Sequence, residues 1–418
     1  MKLTGVLGSG VCAFLFGYAI FGSVEVARAQ SACGCPVGSF TTEGGLCVAI
    51  TSSEQAIFFN PTCKTPQIGQ IAASQQQLSF STVAGVLRTR RDQLQGPLGS
   101  QSSPTSPLMG YSTFNLDDSF AALGYASRAD RNPTYGAEKN PLYKAPPPAA
   151  AAGPTWATWV EGIGDWEKRK ALDANDIGRT QDTYGVHAGL DGTWKNVWLP
   201  GDYVVAGLVT NWTSTRIHLT DSPATLRLEG PGVGLYSMYI NGAFSADLVG
   251  KLDFLTLKED FAGFAPNASI GVTNAGVSGN IQYKNKFGSS FLEPTAGFSF
   301  TRTMFGDNAA LMGLQDGSTL RLQAGARFGT VFDANGISFE PTLALLAYSN
   351  VVADGTTVNT LPIAVPVTPT DKGLVRGEVD PELNLDFNNG YSAYVRGSVR
   401  FGSELVGGSA KVGLRKQF

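Results

Sequence analysis

The sequence predicts an all-β transmembrane barrel of twelve antiparallel strands, preceded by a short cysteine-bearing segment and one amphipathic helix. Three observations predict it. From Trp156 to Phe418 apolar and polar residues alternate with a period of two over unusually long stretches. Short Asn/Gly turns alternate with long polar connections. Beyond the leader, no apolar run reaches the roughly 18 residues that a spanning helix needs.

Composition narrows the function classes. The 418 residues carry 31 Lys and Arg against 34 Asp and Glu, a formal charge of -3, with 16% charged residues and 51 glycines. That balance leaves no basic surface to gather phosphates, so no nucleic-acid partner is expected. Charge is normally about a quarter of a soluble domain, and its replacement by glycine and aromatics disfavours bundles and solenoids.

The first residues read as an export leader. Lys2 precedes an apolar, glycine-rich run from Val11 to Val26 that closes on Ala27-Arg28-Ala29, so residues 1–29 are assigned as a signal peptide cleaved after Ala29. Cys12 leaves with it. Cys33, Cys35, Cys47 and Cys63 stay close together in a chain bound for an oxidising compartment, and read as two disulfides with three pairings open. The Cys-x-x-Cys pairs of a zinc site are absent, and no metal is expected.

Residues 30–96 form a short cysteine-bearing segment ending in a helix. Ile68, Ile71, Ala72, Leu78, Val83, Val86 and Leu87 fall near a 3.6-residue period, with Gln75-Gln76-Gln77 and Arg88, Arg90, Arg91 and Asp92 around them, and Gly96-Pro97 stops the run. Residues 97–155 read as a low-order linker, with a second helical stretch from Leu116 to Ala126 and a final Ala145-Pro146-Pro147-Pro148.

Residues 156–418 hold the strands, beginning near Trp156, Thr183, Tyr203, Leu228, Phe244, Val277, Phe291, Thr319, Ile337, Leu374, Tyr391 and Ala410. Phe244, Leu248, Leu252 and Phe254 share one face, and Asp247, Lys251 and Asp253 the other. Glu293 opposes Leu292 and Phe298; Arg321 and Arg327 oppose Leu322 and Phe328. Arg376, Glu378, Asp380, Glu382 and Asp386 oppose Val375, Val379 and Leu383, and Arg396 and Arg400 oppose Val395 and Phe401. With Glu161, Asp165 and Asp191 these are the candidate lumen charges. A soluble sandwich also alternates, but its strands run only about five or six residues, and it would turn such charges to solvent.

The turns divide the barrel into two ends. Ile240-Asn241-Gly242, Lys286-Phe287-Gly288, Asp333-Ala334-Asn335-Gly336, Phe387-Asn388-Asn389-Gly390 and the Asn196 to Gly201 connection are tight. Glu167 to Asp182, Arg216 to Arg227, Glu259 to Asn274, Met304 to Gly317 and Val351 to Gly373 are expected as long loops at the other end. Trp156, Trp166, Trp194, Trp198 and Trp212, with Tyr203 and Tyr391, fall near strand ends, where a headgroup boundary suits them.

These residues resemble the autotransporter β-domain of type V secretion. The likeness rests on Trp159 to Gly164, on Leu292-Glu293-Pro294 followed by Ala296-Gly297-Phe298-Ser299, on Leu322 to Gly329, and on the closing Val412-Gly413-Leu414-Arg415-Lys416-Gln417-Phe418. The resemblance implies an outer-membrane barrel that translocates or displays its own N-terminal segment at the cell surface. It implies outer-membrane lipid, the barrel-assembly machinery and periplasmic chaperones as partners, with Phe418, Leu414 and Val412 as the assembly signal. Lys416 stands where that pattern has an aromatic. The resemblance further implies a helix threaded through the barrel. Ile68 to Leu94 is the first candidate, its arginines facing Glu378, Asp380, Glu382 and Asp386; Leu116 to Ala126 is a rival, and a free helix packed on the cysteine segment an alternative. A linker of 97–155 departs from the short turn such barrels use. A diffusion channel or a surface adhesion protein are the other functions compatible with the residues.

No catalytic constellation is expected. His187 falls on a lumen face and His218 in the second long loop, too isolated for a metal cluster or a Ser/His/Asp site. Glu161, Asp165 and Glu293 are read as a charge lattice rather than an acid/base pair. No cofactor is implied.

Overall fold

The computed structural model describes residues 39–41, 47–50, 56–59, 68–95, 153–172, 178–220, 225–260, 269–306, 316–354, 357–360, 363–366, 372–387 and 389–418. The assigned leader, Cys33, Cys35, Cys63 and nearly all of the linker, with its second helical stretch, lie outside the described residues. Of the cysteine segment, three short antiparallel strands are described, Ser39–Thr41, Cys47–Ile50 and Ala56–Phe59.

Twelve long strands form the main sheet: β1 Thr155–Arg169, β2 Arg179–Lys195, β3 Tyr203–Leu219, β4 Thr225–Asn241, β5 Phe244–Asp260 and β6 Ser269–Tyr283, which continues as Asn285–Phe287. They go on as β7 Ser290–Phe305, β8 Gly317–Thr330 with its continuation Phe332–Ala334, β9 Ile337–Ala353, β10 Val375–Asp386, β11 Tyr391–Phe401 and β12 Leu405–Gln417. Each pairs antiparallel with its sequence neighbour, and β12 pairs with β1 from Leu405 opposite Arg169 to Gln417 opposite Ala157. The sheet is closed, so no edge is left to satisfy in lipid. The seam reaches the last residue, because Phe418 N–H donates to Trp156 O at 2.9 Å and Trp156 N–H donates back to Phe418 O at 3.2 Å.

The outward face meets lipid. Phe254, Phe300, Phe328 and Phe401 are all exposed, as are Leu208, Leu235, Leu248 and Leu414, while their strand neighbours turn into the lumen. Trp156, Trp166, Trp198 and Trp212 are exposed, whereas Trp159 is buried inside. Lys416 lies over the Tyr391 ring of β11 at 3.5 Å, a cation on the aromatic face of the neighbouring strand.

Two expectations about the connections need correction. The second loop shrinks to residues 220–224, and β11 and β12 are joined at the loop end by only Gly402, Ser403 and Glu404, tied down by Arg376 Nε donating to Glu404 at 2.7 Å. Strands extend past the lipid-facing pattern because the hydrogen-bond ladder continues where the outer face no longer needs to be apolar. His218 is accordingly in β3, at 3.2 Å from Thr225 Oγ1, and not in a loop.

At the turn end, residues 196–202 are organised by Asp202. Its carboxylate accepts the N–H groups of Val197 (2.7 Å), Trp198 (3.0 Å) and Leu199 (2.9 Å), while Asn196 takes the left-handed φ of 59°. Burial pushes the Asp202 carboxyl up, but the donors of Leu199, Trp198 and Val197 outweigh it and hold its pKa below the usual carboxylate value. A depressed folded-state pKa stabilises the fold above the ordinary carboxylate value near pH 4, and the contribution is lost as pH falls through the folded value. Asp202→Asn is therefore expected to lower the urea midpoint at pH 7 and to match the parent at pH 2. A constant offset at both pH values would show that the charge is irrelevant.

Candidate functional site: the plugged lumen

One helix, α1, covers Ile68–Gln95, and its 28 residues span about 42 Å at 1.5 Å each, more than the roughly 30 Å of hydrocarbon. It runs through the barrel. Gly69 O accepts from Thr303 near the loop end of β7, whereas Gln95 donates to Gly242 O and accepts from Lys286, both at the turn end. The N-terminus of α1 therefore faces the loops and its C-terminus the turns. The free-helix alternative is overturned.

The helix is buried around most of its circumference, not on one face as its amphipathic pattern implies, and the stripe of Ser74, Gln77, Ser81 and Arg88 stays partly open, toward a cavity. Its apolar residues meet an apolar wall: Phe80, Val83, Val86 and Leu87 pack with Val205, Val209, Tyr236, Met238 and Val249, and Ile68 and Ile71 with Ile217, Leu228, Leu257 and Ile270. On β3 and β4 the inner face is thus largely apolar, which corrects the expectation of a charged lumen face in almost every strand. Each such side chain contributes about 1.5–3 kcal/mol.

The polar residues form a ladder to the remaining wall. Gln75 Nε2 donates to Thr213 at 2.7 Å, Gln76 Nε2 to Asp253 at 3.0 Å, and Asn274 donates to Ala72 O at 2.9 Å. Ser79 sits between His187 Nε2, at 2.7 Å, and Lys251, itself paired with Asp253 at 2.8 Å. An ammonium only donates, so Ser79 accepts from Lys251. Arg396 Nη2 donates to Gly85 O and Thr89, both at 2.6 Å, and its guanidinium fills the space beside Gly85 where a Cβ would sit 2.0 Å away.

The charges gather at the last turns of the helix. Asp92 lies 2.6 Å from Arg327 and 2.8 Å from Lys284; Arg91 lies 2.6 Å from Glu293. Arg88 approaches Glu382 of the expected acidic strand at 3.7 Å, while Arg321 holds Glu378 at 2.8 Å. Glu382→Lys would put a further cation against Arg88 and Arg396, and is expected to loosen the helix, read as larger and noisier conductance in planar bilayers. Unchanged conductance would show that the helix is held elsewhere.

The other predicted lumen residues are placed as follows. Glu161, Asp165, Asp191, Asp247, Lys251, Asp253, Glu293, Arg327, Arg376, Glu382, Arg396 and Arg400 are buried on the inner side. Arg321, Glu378 and Asp380 line a cavity of about 130 Å3 beside α1, and Asp386 lines another of about 390 Å3 at the turn end. Glu161, Asp165 and Glu293 do not approach one another; each pairs with arginine, Glu161 with Arg396 at 3.3 Å, Asp165 with Arg400, and Glu293 with Arg91 and Arg327. Phe418, Leu414 and Val412 are exposed on the outer face. Sequence reasoning missed Ser79, Gly85 and the partners of Asp92. The one signal available was that Asp92 is the only acid in α1.

Residues 158–398 match the sequence pattern of the autotransporter beta-domain. No curated protein matches the chain. Among solved structures, the beta domain of the Bordetella autotransporter Brka aligns at 17% identity over 63% of this chain and 99% of its own, with a TM-score of 0.49. The translocator domain of NalP from Neisseria meningitidis aligns at 11% identity over 65% and 90%, with a TM-score of 0.48. The transport unit of AIDA-I from Escherichia coli aligns at 12% identity over 67% and 95%, also with a TM-score of 0.48.

Proposed function

The chain belongs to the autotransporter β-domain family, outer-membrane barrels that carry a passenger to the cell surface, and from that premise we propose what this barrel carries and how it keeps it. The passenger is the short segment within residues 30–96, with α1 as its plug, behind a leader of residues 1–29. The direction of α1 carries this reading: the chain before Ile68 departs at the loop end, while Gln95 and the start of β1 at Thr155 both stand at the turn end. Residues 97–155 then belong to the periplasmic side, with 156–418 as the barrel. The lumen charges hydrate, shape and align, with no catalytic step assigned to them. Phe418, Leu414 and Val412, at the β12 seam and on the lipid face, are the residues we assign to recognition by the barrel-assembly machinery, with periplasmic chaperones guarding the unfolded chain before insertion.

Protease added to intact cells is expected to release peptides from residues 30–67 and to spare 97–155 until the outer membrane is permeabilised. Release of 97–155 from intact cells would reverse the assignment.

A further inference from the structure

Residues 68–87 of α1 carry no charge, and all four charges, Arg88, Arg90, Arg91 and Asp92, fall in the trailing turns. The neutral part adheres through apolar contacts and through amides and hydroxyls, for which a lumen rich in Thr, Ser, Asn and Gln offers substitutes at many heights. A buried charge has no such freedom, since it needs an opposite charge at its own level.

Asp92 finds one at a single level. It is received by Arg327 of β8 and by Lys284 at the turn end of β6. Sliding α1 one turn, about 5.4 Å, toward the loops moves Asp92 about two residues along the wall strands. There Lys284 gives way to Gln282 and Arg327 to Gly325, and the carboxylates it would meet are Asp247, which accepts from Asn280 at 2.8 Å and Gln282 at 3.0 Å, and Glu382, which lies 3.7 Å from Arg88. Sliding one turn the other way brings Arg88, four residues earlier, against Arg327 and Lys284. Both displacements set like charges together.

We propose that Asp92 is the positioning residue that fixes the axial register of the plug, and with it the length of chain displayed outside. The proposal rests on the display reading above, and is tested by register rather than by display. In the full chain, with Cys33, Cys35, Cys47 and Cys63 replaced by serine, one cysteine replaces Asn384, which lies 3.1 Å from Thr89 across the lumen. The second replaces either Thr89 or, one turn later, Gln93. Disulfides formed on oxidation are mapped by mass spectrometry.

With Asp92 intact, the Thr89→Cys partner is expected to bond and the Gln93→Cys partner not. Asp92→Lys, repelled by Arg327 and Lys284 and drawn to Asp247, is expected to shift bonding by four residues to the Gln93→Cys partner, and adding Arg327→Glu to return it. If Asp92→Lys does not assemble, Asp92→Asn decides, with bonding expected at both partners. Bonding confined to the Thr89→Cys partner in every Asp92 variant overturns the proposal. Correct register in a barrel whose residues 30–67 never reach added protease would count against the display reading alone.

Discussion

A chain shortened to begin at Thr155 is expected to conduct on the order of ten-fold more current per barrel than the full chain. A helix with its side chains is about 10–12 Å across, close to the free bore of a twelve-stranded barrel once the inner side chains are counted. With α1 in place, a cavity of about 130 Å3 lies beside it, with Arg88, Glu382 and Arg396 in its lining. The wall does not depend on the plug for its backbone hydrogen bonds, which all run between strands and close through β12 and β1. Removal exposes Gln, Thr, Asn and charged side chains that water solvates readily, and leaves the Val205, Val209, Tyr236 and Met238 patch as the costly part. Planar-bilayer recordings of both chains measure the difference. Equal conductance would mean either that α1 does not reside in the lumen or that loops close the empty pore, and a further deletion of residues 357–366 separates the two.

How far this arrangement could be read in advance depended on what each strand face meets. On β5, β8, β10 and β11 lipid lies on one side and ion pairs on the other, so period-two alternation is clean, and Phe254, Phe328 and Phe401 face outward as that pattern requires. On β3 and β4 the inner face meets the apolar stripe of α1, so Val205, Val209, Tyr236 and Met238 point inward and alternation gives no contrast. The helix itself was legible from its period and its Gly-Pro stop, but its seat was not. Asp92 finds Arg327 235 residues away, and Gly85 is required by a guanidinium from β11 that no local pattern announces. Strand ends were misplaced where polar residues continue the ladder beyond lipid, which made His218 look like a loop residue.

Arg396→Met is expected to destabilise the barrel by about 3–5 kcal/mol, the cost of breaking a buried ion pair by removing one partner. Arg396 joins four elements: it lies 3.3 Å from Glu161 of β1 and 3.0 Å from Glu382 of β10, and it donates to Gly85 O and Thr89 of α1. Glu161 has no exposed surface and Glu382 has 6%, so neither carboxylate can turn to bulk water when the guanidinium goes. The adjoining cavity can admit water, which places the expected cost toward the lower end of the range. Lys258 and Glu229 make the same kind of contact at 2.8 Å near the loops, but with side chains 43% and 22% exposed, so Lys258→Ala is expected to cost less than about 1 kcal/mol. Adding Glu161→Gln and Glu382→Gln to Arg396→Met should recover most of the loss, because what destabilises is the stranded charge rather than the missing bond. Urea unfolding in detergent micelles reads all of these as midpoint shifts at constant slope. A cost for Arg396→Met no larger than that for Lys258→Ala would mean that the lumen is wet enough to screen its charges like a surface, and would remove the reason for one helix register to be preferred over another.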